Sequence, residues 1–213
     1  MSLIRRLVTS IAALLPAGAA AAGGGAVHTV TVGGTLVELA VPQGMREVAA
    51  SHAAVRALVE PTVPKEMRLL ACFVPEADAA TLDRGGSLPW ERHVLVVTLR
   101  AHEGLQRGEA EFAAFQRVTD ESLQRFGPDN ARVFERGPRH YGYQRVRESD
   151  GTEVGPPRTR RVVVSPSVVL VRGVQVSYFI YADYRGEDDA AWSRDTGRAL
   201  MQATLRANRS PGD

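Results

Sequence analysis

This chain has one cysteine, one lysine and no long apolar run beyond its first residues. A lone Cys72 excludes an intramolecular disulfide, so stability in an oxidising compartment must come from packing. It lies within Leu69-Leu70-Ala71-Cys72-Phe73-Val74, a run of strand length that predicts a buried, inert thiol. Lys65 is the only lysine, so nearly all positive charge is arginine, which reads as a coding bias more readily than as selection for phosphate recognition. No internal repeat or low-complexity segment marks a disordered or solenoid protein.

What is present begins at the N-terminus. Arg5 and Arg6 form a basic region, Leu7 to Leu15 an apolar core, and Pro16 and Gly18 break it before Ala19-Ala20-Ala21-Ala22. That order predicts a secretory signal over residues 1–22, with small residues spaced for cleavage. The core is too short and alanine-rich for a comfortable membrane span. An uncleaved anchor is the alternative. No cysteine follows the core, which excludes a lipoprotein signal, and the residues flanking Arg5-Arg6 match a twin-arginine motif poorly.

Export changes the charge balance. The chain has 26 Lys+Arg against 24 Asp+Glu; Arg5 and Arg6 leave with the signal and no acidic residue does, so 24 face 24. A neutral domain lacks the electrostatic footprint of a general nucleic-acid binder. The remaining chain is long enough for one domain burying roughly two-thirds of its unfolded surface. We therefore expect one domain over residues 23–208 and a flexible tail at 209–213.

The organisation reads from periodicity and punctuation. Val27 to Val32 and Thr35 to Val41 flank Gly33-Gly34, a hairpin signal because primed turns need positive φ. A short helix is expected over Ala49 to Leu58, and strands over Met67 to Val74 and Arg92 to Ala101, with a loop between them. Phe112, Phe115, Thr119, Leu123 and Phe126 recur at helical steps within Glu109 to Phe126. Arg132 to Glu135 and Tyr141 to Arg147 are weaker strands, and Ser149 to Pro157 is a polar loop. Arg160 to Val164 and Val168 to Val171 read as two strands split by Ser165-Pro166. Arg172-Gly173 turns into Val174 to Tyr184. Glu187 to Ala207 is a helix opening on acidic residues, with a stripe of Trp192, Thr196, Ala199, Leu200, Ala203 and Ala207. Trp192 is expected to anchor that helix on the sheet.

Strands joined by hairpins and interrupted by helices define an α+β layer architecture, a mostly antiparallel sheet flanked by helices. The opening hairpin ending in Val41-Pro42-Gln43-Gly44, the helix after a strand, and Leu170-Val171-Arg172-Gly173-Val174-Gln175 leading to a Trp192-bearing helix resemble the Mog1/PsbP-like α/β/α sandwich. The resemblance covers most of the mature chain. It implies a small exported bacterial protein acting as a binding or assembly factor, and assigns no functional residue.

No motif fixes a chemistry. His28, His52, His93, His102 and His140 include no pair at metal-ligand spacing, so no metal or cofactor is expected. Ser87, in Gly85-Gly86-Ser87-Leu88-Pro89, lacks the glycine of a nucleophile elbow. Asp188-Asp189 are explained by helix capping. One pattern stands above this background. Tyr141, Tyr143, Arg145 and Arg147 alternate along one strand, and Gln175, Ser177, Phe179 and Tyr181 along another. If those faces adjoin, they form an aromatic and arginine surface for a protein partner or anionic group. The competing reading is tyrosine–arginine packing beneath a helix.

We thus expect an exported, non-catalytic interaction module, with Tyr141, Tyr143, Arg145 and Tyr181 as candidate binding residues. Its partner would be an envelope protein, without nucleic acid or a membrane span after signal cleavage. The alternatives are a periplasmic hydrolase assembled from His93, His102, His140 and acidic loops, or an apolar-ligand carrier with a large cavity. Mass spectrometry of protein from its native host should give an N-terminus between Ala20 and Ala26. Intact Met1 in the soluble envelope fraction would exclude cleavage.

Overall fold

In the computed structural model, which describes residues 26–127, 131–149 and 160–209, the expected opening hairpin forms between β1 (Val27–Val32) and β2 (Thr35–Ala40). Gly33 and Gly34 take φ of 54° and 86°, the positive pair a primed turn requires. Gly33 is irreplaceable for a second reason: a Cβ there would lie 2.0 Å from the backbone nitrogen of Gly104.

The remaining strands make one antiparallel sheet. They are β3 (Met45–Glu47), β4 (Met67–Pro75), β5 (Arg92–Leu99), β6 (Ala131–Gly137), β7 (His140–Glu148), β8 (Arg161–Val171) and β9 (Val174–Asp183). Their spatial order is β3-β4-β5-β9-β8-β7-β6. Four helices cover it: α1 (Ala53–Val59), α2 (Glu76–Asp83), α3 (Glu109–Gln124) and α4 (Glu187–Ala207). The α+β layering expected from the element order is the one found.

Both faces of the central strands are buried, which explains their near-continuous apolar sequences. Val94 and Val96 of β5, with Tyr178 and Ile180 of β9, pack under α4 and the β1–β2 hairpin, together with Leu200 and Met201. Leu95 and Val97 point the other way, into a cluster with Val55, Val59, Cys72 and Val74 near α1. Phe112 of α3 closes a third cluster on Tyr141, Val168 and Leu170. The second face is thus covered at its two sides by α1 and α3, with a gap between them.

Four expectations are corrected. The split at Ser165-Pro166 does not exist: β8 runs unbroken, pairing Pro166 with Phe179 of β9. On the other side, pairing with β7 lapses between Gly142↔Ser167 and Arg145↔Val164, where a proline has no N–H to give. The Gln144 side chain reaches across there, donating to Ser165 Oγ at 3.0 Å and to the Ala190 carbonyl at 2.7 Å.

Second, the first helix starts at Ala53 and not Ala49. The Glu47 carboxylate accepts the N–H groups of Ala49, Ala50 and, across to β4, Cys72, at 2.9, 2.9 and 3.2 Å, holding 49–51 in a turn. Third, α2 occupies part of the expected loop. It is short, buries only Ala79, and so carries no readable stripe, although Pro75 followed by Glu76 and Asp78 is a start signal.

Fourth, the bounds of α4 are as expected but its buried face is rotated. Ala190, Ser193, Gly197, Leu200, Met201 and Thr204 are buried, whereas Trp192 is half-buried and Ala199 exposed. Small residues face the sheet because the helix lies close to it: a Cβ on Gly197 would sit 2.4 Å from Ser167 Oγ. Trp192 instead lies at the margin of the core with the Arg92 guanidinium 4.6 Å from its ring centre. The expected signal lies outside the described residues, as do nearly all of the polar loop and the tail.

These placements order the energetics of helix docking. Met201 is fully buried, and Met201→Ala should cost roughly 2–5 kcal/mol. Trp192→Ala should cost less, despite the larger side chain. Chemical denaturation of the two variants checks the order, and a larger loss at Trp192 would restore it as the anchor.

Candidate binding groove

Register decides which candidate residues meet. Arg145 pairs with Val164, Val164 with Tyr181, and Tyr181 with His93, giving one row across four strands. The neighbouring row runs from Pro166 through Phe179 to Leu95 and Cys72. Directly paired residues share a face. The two alternating patterns noticed in the sequence therefore do lie on one face, with β8 between them.

That face contains a groove of about 380 Å³. Its floor is Leu95, Val97 and Phe179; Tyr143, Tyr181 and His93 form aromatic walls; Met67 and the turn Thr62-Val63-Pro64 close one rim, and Arg147 stands in the lining. The volume falls within the range of small-ligand pockets. The turn reaches the rim because Pro61 and Pro64 stop α1 and its one-turn 3₁₀ continuation at Glu60–Thr62.

His93 is the chemically unusual member. It is only 1% exposed, and neither ring nitrogen has a hydrogen-bond partner among the described residues. The ring stacks on Tyr181 at 4.7 Å and 10°, and meets Trp90 edge-on at 5.3 Å. Burial, reinforced by the Arg160 charge and opposed by a contact with the Trp90 backbone too poorly aligned to count as a hydrogen bond, lowers its pKa to about 3, so the imidazole is neutral. Each orphaned polar atom costs about 1–3 kcal/mol. Trp90 has φ of 57°, a conformation bulky residues avoid, yet is 5% exposed within the core cluster that holds it there. Arg160 is paired with Asp183 at 2.7 Å, both largely buried.

The four candidate residues divide. Tyr143 and Tyr181 are half-buried and line the groove; burial raises the Tyr143 pKa, against the opposing pull of Arg145. Tyr141 is wholly buried and donates its hydroxyl to Asp120 of α3 at 2.6 Å, beside Arg136, which gives two bonds of 2.7 Å to the same carboxylate. It is packed beneath a helix and presents no binding surface. Arg145 lies 3.6 Å over the Phe126 ring, outside the groove lining. Sequence reading did not single out Leu95, Val97, Met67 or the 62–64 turn as binding residues. They are ordinary apolar and turn residues brought together only by pairing, but His93 inside a strand-length apolar run was a visible signal.

The other chemical candidates are dispersed. His102 follows β5 at the end opposite His93, in a short 3₁₀ turn. His140 lies 3.5 Å from Glu135, which also binds Arg198 at 3.1 Å. Cys72 is buried, and desolvation pushes its thiol well above the usual range. Among the described residues no three or more His, Cys, Asp or Glu side chains are grouped to hold a metal ion, and no helix is long and apolar enough to cross a membrane.

The fold places this chain in the class of three-layer sandwiches with one antiparallel sheet between helical layers. No protein-family model matches it, and no curated protein does. Among solved structures it is similar to the Ran-binding protein Mog1p of Saccharomyces cerevisiae, at 11% identity and a TM-score of 0.36, covering 86% of this chain and 92% of that one.

His93 links stability to pH. Unfolded, it binds a proton near pH 6.5; folded, only near pH 3. The stability tied to neutral His93 is therefore complete above pH 6.5 and lost as pH falls from 6.5 toward 3, at up to about 1.4 kcal/mol per pH unit. His93→Phe keeps the stacking and should flatten the decline of Tm between pH 6.5 and 4. An unchanged pH profile would place solvent or a partner at the ring.

Proposed function

We propose that this protein is an exported, non-catalytic interaction module that captures its partner through the groove and its rim. The observation that carries this reading is the aromatic groove itself. It gathers Tyr143, Tyr181, Phe179 and His93 around an apolar floor, and aromatic anchors in a concave site dominate recognition energetics. The base in the groove is unsuited to activating a nucleophile: His93 is held neutral by burial and has no carboxylate or other side chain hydrogen-bonded to its ring, whereas general-base catalysis needs both a tuned pKa and geometry. Export rests on the basic, apolar and small-residue order of residues 1–22, and makes an envelope protein the expected partner.

The test is affinity capture from envelope extract of the native host, comparing the full chain with Tyr143→Ala/Tyr181→Ala. A stoichiometric partner should be retained by the former and lost, at least tenfold, by the latter, with both folded by circular dichroism. Capture unchanged in the double variant would move the site. Turnover in an unbiased hydrolase screen, abolished by replacing one of His93, His102 or His140, would overturn the non-catalytic reading.

A further inference from the structure

The groove is deeper in chemical character than a protein-docking rim requires. Its lower wall is a stack of flat rings, with His93 parallel to Tyr181 and edge-on to Trp90, above a floor of Leu95, Val97 and Phe179. The cavity of about 380 Å³ lies at the small-molecule end of ligand pockets.

Charge argues against an ionic occupant. Arg160 is paired with Asp183, Arg145 lies over Phe126, and Arg147 already makes an interaction of its own. No carboxylate belongs to the lining. A charged ligand would therefore be desolvated here without a dedicated counter-ion, at a high cost. The polar feature in the lining is instead a neutral imidazole, with one donor and one acceptor, that makes no well-aligned hydrogen bond at either ring nitrogen among the described residues. The backbone strain at Trp90 sits beside that ring, and strained residues held by packing concentrate at binding sites.

We propose that the groove floor binds a small, flat, uncharged aromatic molecule of about two rings, carrying one group that hydrogen-bonds His93. This rests on reading the groove as the working site of the module: the rim formed by the 62–64 turn, Tyr143 and Arg147 meets the protein partner, and the floor holds the small molecule. Stacking on the half-buried Tyr181 and Tyr143 selects flatness, the apolar floor excludes charge, and the imidazole favours one polar group over none.

The probe is 2-naphthol, a flat two-ring aromatic that is uncharged at neutral pH and carries one hydroxyl, titrated into the full chain and followed by its fluorescence and by methyl NMR. Saturable one-to-one binding is expected, with shifts of the Val63, Leu95 and Val97 methyls and none of Val37 or Val176 on the opposite face. Val63→Trp, at a half-buried rim position, should weaken binding at least tenfold. Absence of saturable binding, shifts centred on Val37 and Val176, or undiminished binding in folded Val63→Trp would each overturn the proposal. Should Val63→Trp fail to fold, the methyl pattern of the unaltered chain decides alone. If the probe fails while Tyr143→Ala/Tyr181→Ala still loses the protein partner, the small-molecule inference falls and the interaction reading stands. If the probe binds and partner capture does not depend on those tyrosines, the partner reading fails separately.

Discussion

The close seating of α4 on β8 is the contact on which the rest of this fold depends. At its centre Pro166 removes a ladder N–H from a strand flanked on both sides, and the gap toward β7 is filled by side chains. Gln144 donates to Ser165 and to the Ala190 carbonyl of α4, and Ser193 donates to Ser165 at 2.8 Å. Gly197 permits the approach. Helix, central strand and outer strand are thereby tied through buried polar groups, each of which would be costly unpaired. Farther along, Thr204 accepts from Ala40 and its hydroxyl meets that of Tyr178, while Asn208 exchanges hydrogen bonds with Glu38. The hairpin is bound to the same helix.

This arrangement has a consequence for the opposite face. Because α4 and the hairpin together cover one side of the sheet, the other is left to two helices set apart from each other. That side is covered by α1 and its turn over β4 and β5, and by α3 over β6 to β8. The middle, where β5 and β9 present His93, Leu95, Phe179 and Tyr181, is left as a groove. A binding surface arises where the covering elements run out, on strands whose positions are fixed from behind.

The buried histidine shows what such a site does to chemistry. In water an imidazole near pH 6.5 is a ready base; between Tyr181 and Trp90 it is a neutral ring whose protonation opposes folding. Its contribution in the groove is aromatic surface and an unspent hydrogen-bonding capacity. The same desolvation acts on Cys72, on the adjacent strand β4 in the same row as Phe179 and Leu95, and leaves it without nucleophilic character.

Much was legible from local pattern. Gly33-Gly34 and Gly173 announce their turns because glycine takes positive φ freely; Gly173 has φ of 76°, and Arg172 before it is carried to 47° against its own preference. The bounds of α4 follow from its acidic start and unbroken periodicity, and the layer architecture follows from element order. What failed depended on partners distant in sequence. The face of α4 was misjudged because hydrophobicity favours Trp192 and Ala199, whereas the sheet accepts Ser193 and Gly197 by hydrogen bonding and close approach. The sequence by itself determined the glycine turns and the strands and helices with a clear period, since each depends on neighbours a few residues apart. Tertiary structure alone decided that Tyr141 is buried under α3 while Tyr143 and Tyr181 line one groove, because strand order and register set which side chains share a face.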